Sequence, residues 1–156
     1  MKKPTLLLLL IAVVALGSCR KEVTRVSEVD QAFSQMFDIT PDQWSTSDNG
    51  LSYSTTFDIP ALSDAIFDHG AAVVYLSFVD NVYEALPEVY EGISYGAIHS
   101  PGSLTVDIYA VDGSQISAPQ GEIYAKVILI DAKALNLHPN INLRDYNLVR
   151  STFKVH

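Results

Sequence analysis

The sequence predicts a mainly β fold, an antiparallel β-sandwich with two short helices, in one domain over residues 33–156. Three observations support this. Segments of alternating apolar and polar residues recur roughly every eight to twelve residues. Turn signals such as Asn49-Gly50 and Asp112-Gly113 stand between them. Only two segments show helical spacing, so sheet packed on sheet is the expected architecture.

The first half of the domain contains the clearest strand patterns. Alternation from Phe33 to Ile39 predicts a first strand, closed by Thr40-Pro41-Asp42. Asn49-Gly50 favours a hairpin, after which Leu51–Ile59 alternates as a half-buried strand does. The nearly continuous apolar run Ala71–Phe78 predicts a central strand covered on both faces.

The remaining elements are shorter. Further strands are predicted at residues 83–86, 89–98, 104–111, around Ile116 and at 123–130. A first helix is predicted over Pro60–His69, ended by Gly70 in a left-handed cap. A second helix is predicted near the end of the chain, with Asn142 as its cap and Asp145 in its first turn; its apolar positions are Tyr146, Val149 and Phe153.

The amino terminus has the layout of a secretory signal peptide. Lys2 and Lys3 precede an apolar run over residues 6–16, which is too short for a transmembrane helix of about 20 residues. We predict a lipoprotein signal peptide over residues 1–18, followed by a lipidated cysteine and tether over residues 19–32. The sequence Leu16-Gly17-Ser18-Cys19 resembles the lipobox of bacterial lipoproteins. The resemblance implies diacylglycerol on the Cys19 sulfur and cleavage before it.

The alternative to a lipobox is an ordinary signal peptide with a chance cysteine. Lipid on Cys19 would hold the protein on a membrane without crossing it. Arg20 replaces the aspartate that signals inner-membrane retention, so the resemblance to lipoproteins implies the outer membrane. Whether the domain faces the periplasm or the exterior is left open by the sequence.

Composition excludes several function classes. Removing residues 1–18 leaves 156 − 18 = 138 residues with 8 basic and 18 acidic side chains, a net charge of −10. Such a chain repels nucleic acid and anionic head groups. Cys19 is the only cysteine, so a lipidated chain has no thiol for a disulfide, a zinc site or catalysis. The four histidines are scattered, and we predict neither a metal site nor a cofactor.

One enzyme motif is present, Gly92-Ile93-Ser94-Tyr95-Gly96, which fits the G-x-S-x-G nucleophile elbow. An elbow needs a helix after the serine, and only Ala97–Ser100 stands before Pro101-Gly102. We therefore interpret the motif as a chance match within a strand and predict no catalytic residue. Asp107, Asp112 or Asp131 followed by His138 would complete the serine, aspartate, histidine order, but an acidic chain offers such matches readily.

Carboxylates and aromatic side chains are the remaining candidates. Glu84, Glu88 and Glu91 lie near a predicted edge, where they are either solvated rim charges or part of a glycan-hydrolysing pair. Trp44 and Tyr83 stand next to turns, and we predict that they are exposed and form a binding surface.

Longer segments resemble a known group of proteins. The segments "DIPALSDAIFDHG", "DHGAAVVYLSF" and "YEALP", with the closing "NLRDYNLVRSTFKV", look like a family of small uncharacterised lipoproteins from Bacteroidota. The resemblance implies a β-sandwich and a lipoprotein, and it implies no activity and no site residues. We expect a non-catalytic envelope protein that binds a glycan or a protein. The alternatives are an envelope glycan hydrolase and a structural subunit of a surface assembly.

Overall fold

The protein folds into two antiparallel four-stranded sheets that face each other, and a computed structural model describes residues 32–156. The predicted signal peptide, Cys19 and the tether up to residue 31 lie outside the described residues. The predicted mainly β sandwich is confirmed. The first strand begins at Ala32, one residue before the predicted domain boundary.

Sheet I contains four strands in the order β1-β8-β3-β4. Its strands are β1 (Ala32–Ile39), β3 (Ala71–Val79), β4 (Val82–Ala85) and β8 (Ile123–Ile130). Ile130 pairs with Ala32 on one side and with Ala71 on the other, so β1 and β3 begin at the same end of the sheet. The strand β4 pairs only with the second half of β3.

Sheet II has the order β2-β7-β6-β5. Its strands are β2 (Ser52–Asp58), β5 (Glu88–Tyr90), β6 (Ile93–Ser100) and β7 (Ser103–Ala110). The single strand predicted over residues 89–98 is therefore two strands, β5 and β6, because Glu91 and Gly92 adopt positive φ angles of 51° and 78° and form a tight turn.

The main core lies between the two sheets. Alternate residues of each strand point into it, and its fully buried members include Ile39, Leu76, Leu104 and Val127. The other face of sheet II carries no packed layer of the described residues and is rich in hydroxyl side chains, among them Thr56 and Thr105, whose Oγ1 atoms are 2.8 Å apart.

A helical layer covers the second face of sheet I. It is formed by α2 (Ala132–Leu137), α3 (Tyr146–Phe153) and the tail, and its core includes Tyr75, Ile128 and Val149. Ser34 on β1 donates a hydrogen bond to the carbonyl of His156 at 2.8 Å, which fastens the end of the chain to this face. The prediction that the strand after Gly70 is covered on both faces is confirmed.

The helices differ from the prediction in number and boundaries. There are three among the described residues, since α2 was not predicted. The first, α1 (Asp64–His69), starts later than Pro60 because Ser63 caps it by accepting a hydrogen bond from the Ile66 N–H. Gly70 follows it with φ −96°, so the predicted left-handed cap is wrong.

The last helix, α3, is capped by Asp145, whose side chain accepts from the Leu148 N–H at 2.9 Å. Asn142 was predicted to cap it. Asn142 instead accepts a hydrogen bond from the Arg144 N–H in the preceding turn, so the helix begins three residues later.

The predicted strand around Ile116 is a loop. Residues 111–122 cross from sheet II to sheet I, and the Ile116 N–H donates to the Gly50 carbonyl at 2.8 Å. Ile116 and Ala118 are apolar because they pack against the main core. Burial beneath a crossing loop thus produced an apolar pattern that resembles a strand.

Within residues 32–156, no helix has the length and apolar character needed to cross a membrane.

Candidate functional site

One side of the sandwich, where β4 and β5 form the sheet edges, carries two grooves. The chain crosses from sheet I to sheet II there through Leu86-Pro87. Because β4 and β5 are only four and three residues long, each leaves part of its longer neighbour without a paired strand. The crossover separates these two grooves, which are the aromatic groove beside Phe78 and Tyr90 and the open-edge groove beside Ala72 and Ala97.

The aromatic groove has a volume of about 240 Å³. Its lining residues come from three strands and a turn, and they are Phe78, Val79, Val82, Glu84, Glu88 and Tyr90. The rings of Phe78 and Tyr90 are stacked, with centroids 4.8 Å apart and planes 10° from parallel. Tyr90 is 43% exposed, so Phe78 supports one face of a ring that remains accessible to a ligand.

A buried tyrosine fixes the floor of this groove. The Tyr95 ring meets the Phe78 ring edge-on at a centroid distance of 4.8 Å. Burial, followed by the nearby Glu91 carboxylate and Tyr90, raises the pKa of Tyr95 above its ordinary value. Tyr95 therefore remains a neutral packing residue that holds Phe78 in place.

The two glutamates of the aromatic groove differ in their partners. Glu88 forms an ion pair with Arg144, whose Nη2 lies 3.1 Å from the Glu88 Oε2 and also donates to the Pro87 carbonyl at 3.2 Å. Glu84 has no hydrogen-bond or ion-pair partner among residues 32–156. The groove therefore offers one carboxylate whose acceptor oxygens are unused, beside an apolar wall.

The open-edge groove, on the other side of the crossover, has a volume of about 310 Å³. Its walls are residues 72–74 of β3, residues 96–99 of β6, which lie beyond the pairing with β5, and Leu86-Pro87, whose Leu86 N–H donates to the Val74 carbonyl at 2.9 Å. The Asp107 carboxylate leans over Gly96, with its Oδ1 only 2.9 Å from the point where a Cβ of residue 96 would lie. Asp107 has no hydrogen-bond or ion-pair partner within the described part of the chain.

The predicted exposure of Trp44 is wrong. Its side chain is 7% exposed and belongs to the main core, because the 3-10 turn Pro41–Gln43 directs it between the sheets. Its indole N–H is buried without a hydrogen-bond partner among residues 32–156. Proximity to a turn, the signal used for exposure, does not report which way the turn folds.

Tyr83, the other residue predicted to be exposed, lies half-buried under the helical layer. Its ring packs on that of Tyr146 at a centroid distance of 4.5 Å, and the Lys126 Nζ lies 5.9 Å from the Tyr83 ring centre. Trp44 and Tyr83 are thus in different cores and do not form one surface.

The motif Gly92–Gly96 lies in strand β6 and the turn before it, as predicted, and a hairpin at Pro101-Gly102 follows instead of a helix. Ser94 and Asp107 share the outer face of sheet II, since they alternate with the buried Tyr95 and Val106. His138 ends α2 in the layer on the far side of sheet I. The residues of the hypothetical triad are not brought together.

Acidic residues and histidines do not gather into a metal-binding group of three or more anywhere in residues 32–156. Of the three glutamates noted in the sequence, the fold brings Glu84 and Glu88 into one groove and leaves Glu91 in the exposed turn. The sequence did not single out Phe78 or Tyr90. Tyr90 stands directly before the Glu91-Gly92 turn, which was predicted to lie inside a single strand.

Comparisons with known proteins add no relative. No family model, no curated protein and no solved structure matches this chain. The resemblance to Bacteroidota lipoproteins therefore stays a prediction.

Proposed function

We propose that this protein is a lipid-anchored, non-catalytic binding module of the cell envelope, with the aromatic groove as a glycan site. The observation that carries the proposal is the combination of an exposed Tyr90, supported from behind by Phe78, with the unpartnered carboxylate of Glu84 in the same groove. Concave sites with an apolar lining and a few polar groups are the usual form of ligand sites.

A sugar ring matches both parts of this groove. Its C–H faces can stack on the Tyr90 ring, while its hydroxyls can donate to Glu84, which has free acceptor oxygens. Val79 and Val82, both well exposed, provide apolar wall beside the ring. Because Arg144 offsets Glu88, the groove retains a modest local charge, which suits a neutral ligand.

The cellular address is part of the proposal. Lipid on Cys19 would anchor the domain to the outer membrane, and the twelve residues between Cys19 and Ala32 could span at most about 40 Å. Attachment to the membrane raises the local concentration of a weak binding site, which favours many shallow contacts with envelope glycans.

Glycan-array binding followed by calorimetry tests this function. Tyr90→Ala should weaken the affinity for a glycan at least tenfold, since the ring on which the sugar would stack is lost. Tyr109→Ala is the matched control, because Tyr109 is 46% exposed on the outer face of sheet II, away from the groove. Equal losses in the two variants, or no glycan bound by the wild-type protein, would refute the glycan site.

A hydrolase is the second candidate, and one observation favours it: Glu84 and Glu88 line the same groove. Two carboxyl groups on either side of a glycosidic bond are the usual machinery of glycan hydrolysis. Incubation of the protein with the glycans that it binds, followed by analysis of reducing ends, distinguishes the two functions. Turnover that is lost in Glu84→Gln, with binding retained, would support the hydrolase; intact glycan after long incubation would support the binding module.

A further inference from the structure

The open-edge groove has a property that glycan binding does not use, which is unpaired strand backbone. In β6, residues 93–95 pair with β5, while the second half of the strand has no neighbouring strand on that side among residues 32–156. Pro87 marks the break, because the chain arrives there from sheet I and pairs with β6 only from Glu88 onward.

The pairing pattern identifies the free groups. Val111 donates to the Gly92 carbonyl at 3.0 Å, which makes residues 92 and 111 a hydrogen-bonded pair. Hydrogen-bonded pairs recur at every second position, so Gly96 and Ile98 direct their backbone groups toward β7. Ala97 and His99 direct theirs outward, into the groove.

Gly96 gives this edge a chemical preference. A side chain at residue 96 would cover the carboxylate of Asp107 on the neighbouring strand, but glycine leaves it accessible from the edge. A strand added beside β6 would place one outward side chain next to Gly96. A long basic side chain at that position could pass over Gly96 and reach the unpartnered Asp107 carboxylate.

Long-range charge favours the same kind of partner. Residues 32–125 contain 13 acidic residues and no lysine or arginine, whereas residues 126–156 contain five basic and two acidic residues. All strands of sheet II and all residues that line the open-edge groove belong to the first part. The surface around the groove thus attracts a cationic segment and accelerates its association.

We propose that the open-edge groove binds a short extended segment of a partner protein, added as a strand antiparallel to β6, with a lysine or arginine side chain on Asp107. Backbone pairing to Ala97 and His99 gives affinity, and the basic side chain gives selectivity. The proposal concerns a different site from the aromatic groove and stands or falls independently of glycan binding.

A designed peptide tests the proposal on the full chain purified in detergent. The probe is a fluorescent nonapeptide of alternating threonine and valine with a central arginine, compared with the same peptide carrying norleucine at the centre. Fluorescence anisotropy reports binding, and hydrogen exchange of the Ala97 and His99 amides reports the place. We expect saturable binding of the arginine peptide and slower exchange at both amides.

Two substitutions with matched controls identify the contacts. Ala97→Pro removes an outward N–H from an edge, where proline is tolerated, and should abolish binding; Val89→Pro makes the same change on β5, outside the groove, and should leave it unchanged. Asp107→Asn should weaken the arginine peptide about tenfold and leave the norleucine peptide unaffected. Asp58→Asn, on the same sheet face, should change neither.

Several results would overturn the proposal. They are a failure of both peptides to bind, binding that survives Ala97→Pro, and equal losses of affinity for the arginine peptide in Asp107→Asn and Asp58→Asn. Protection of the Ala97 and His99 amides before peptide is added would also overturn it. In a monomer, such protection would assign the edge to residues 20–31 of the same chain; in a dimer that dissociates on dilution, it would assign the edge to a second copy.

Discussion

The buried contact between Lys126 and Tyr146 gives the sharpest stability prediction. Lys126 is 5% exposed, and its Nζ donates to the Tyr146 Oη at 3.1 Å. The Nζ also lies 5.5 Å from the centre of the Tyr146 ring and 5.9 Å from that of Tyr83, and it has no carboxylate partner among residues 32–156. The hydroxyl of Tyr146 is therefore the main polar partner of this lysine.

We expect Tyr146→Phe to lower the free energy of unfolding by about 2 kcal/mol, because it leaves a buried polar group without its hydrogen bond while the ring contacts remain. Lys126→Met should change stability by less than about 1 kcal/mol, since an apolar chain of similar length removes the polar group that needs a partner. In the Lys126→Met background, Tyr146→Phe should then cost well under 1 kcal/mol.

Urea unfolding followed by tryptophan fluorescence measures these values, because Trp44 is the only tryptophan and is buried in the main core. With a urea dependence of about 2 kcal/mol/M, the Tyr146→Phe midpoint should fall by about 1 M. Additive costs for the two substitutions, or a Lys126→Met variant as unstable as Tyr146→Phe, would refute the reasoning that the hydroxyl serves the lysine.

Three further predictions concern pH and membrane attachment. Burial raises the pKa of Tyr75, whose hydroxyl donates to the Leu143 carbonyl at 2.7 Å. The stabilising contribution of Tyr75 is therefore complete below about pH 10 and is lost as the pH rises further. Tyr75→Phe should flatten the fall in the free energy of unfolding at alkaline pH. Hydrogen bonds, mainly from Ser52, lower the pKa of Asp48 from 3.8 to about 2, so its stabilising contribution is present above pH 3.8 and is lost as the pH falls from 3.8 toward 2. Asp48→Asn should remove this part of the acid unfolding curve, as measured by circular dichroism. Cys19→Ser should move the protein from the membrane fraction to the soluble fraction in cell fractionation, and retention on the membrane would contradict lipid anchoring.

Strands with one solvent-facing side were predictable, because burial of only one face imposes alternation on the sequence. The strand β2 follows this rule, and its Phe57 meets Phe37 of β1 across the sandwich at a centroid distance of 4.4 Å. The helix α2 was missed because it follows β8 directly, and its cap Asp131 looks like the end of a strand.

The candidate site was only partly predictable. A strand covered on both faces has no alternation, so the sequence of β3 does not show which way Phe78 points. A shift in register between Leu76 and Val79 further obscures its direction. The stacking of Phe78 on Tyr90 depends on the crossover at Pro87, which brings an edge of sheet I beside an edge of sheet II. Such long-range contacts leave no local pattern.

The strands β1 and β3 begin at the same end of sheet I, which places the two grooves at different distances from the point where the predicted tether joins the domain. Ala32, where the described chain begins, lies level with Ala71, and Phe78 is seven residues further along β3, about 23 Å away. In a chain anchored through Cys19, the tether would join the domain at this end of sheet I. The open-edge groove, near Ala72, would then lie close to that junction, and the aromatic groove would lie further from it, at the other end of β3.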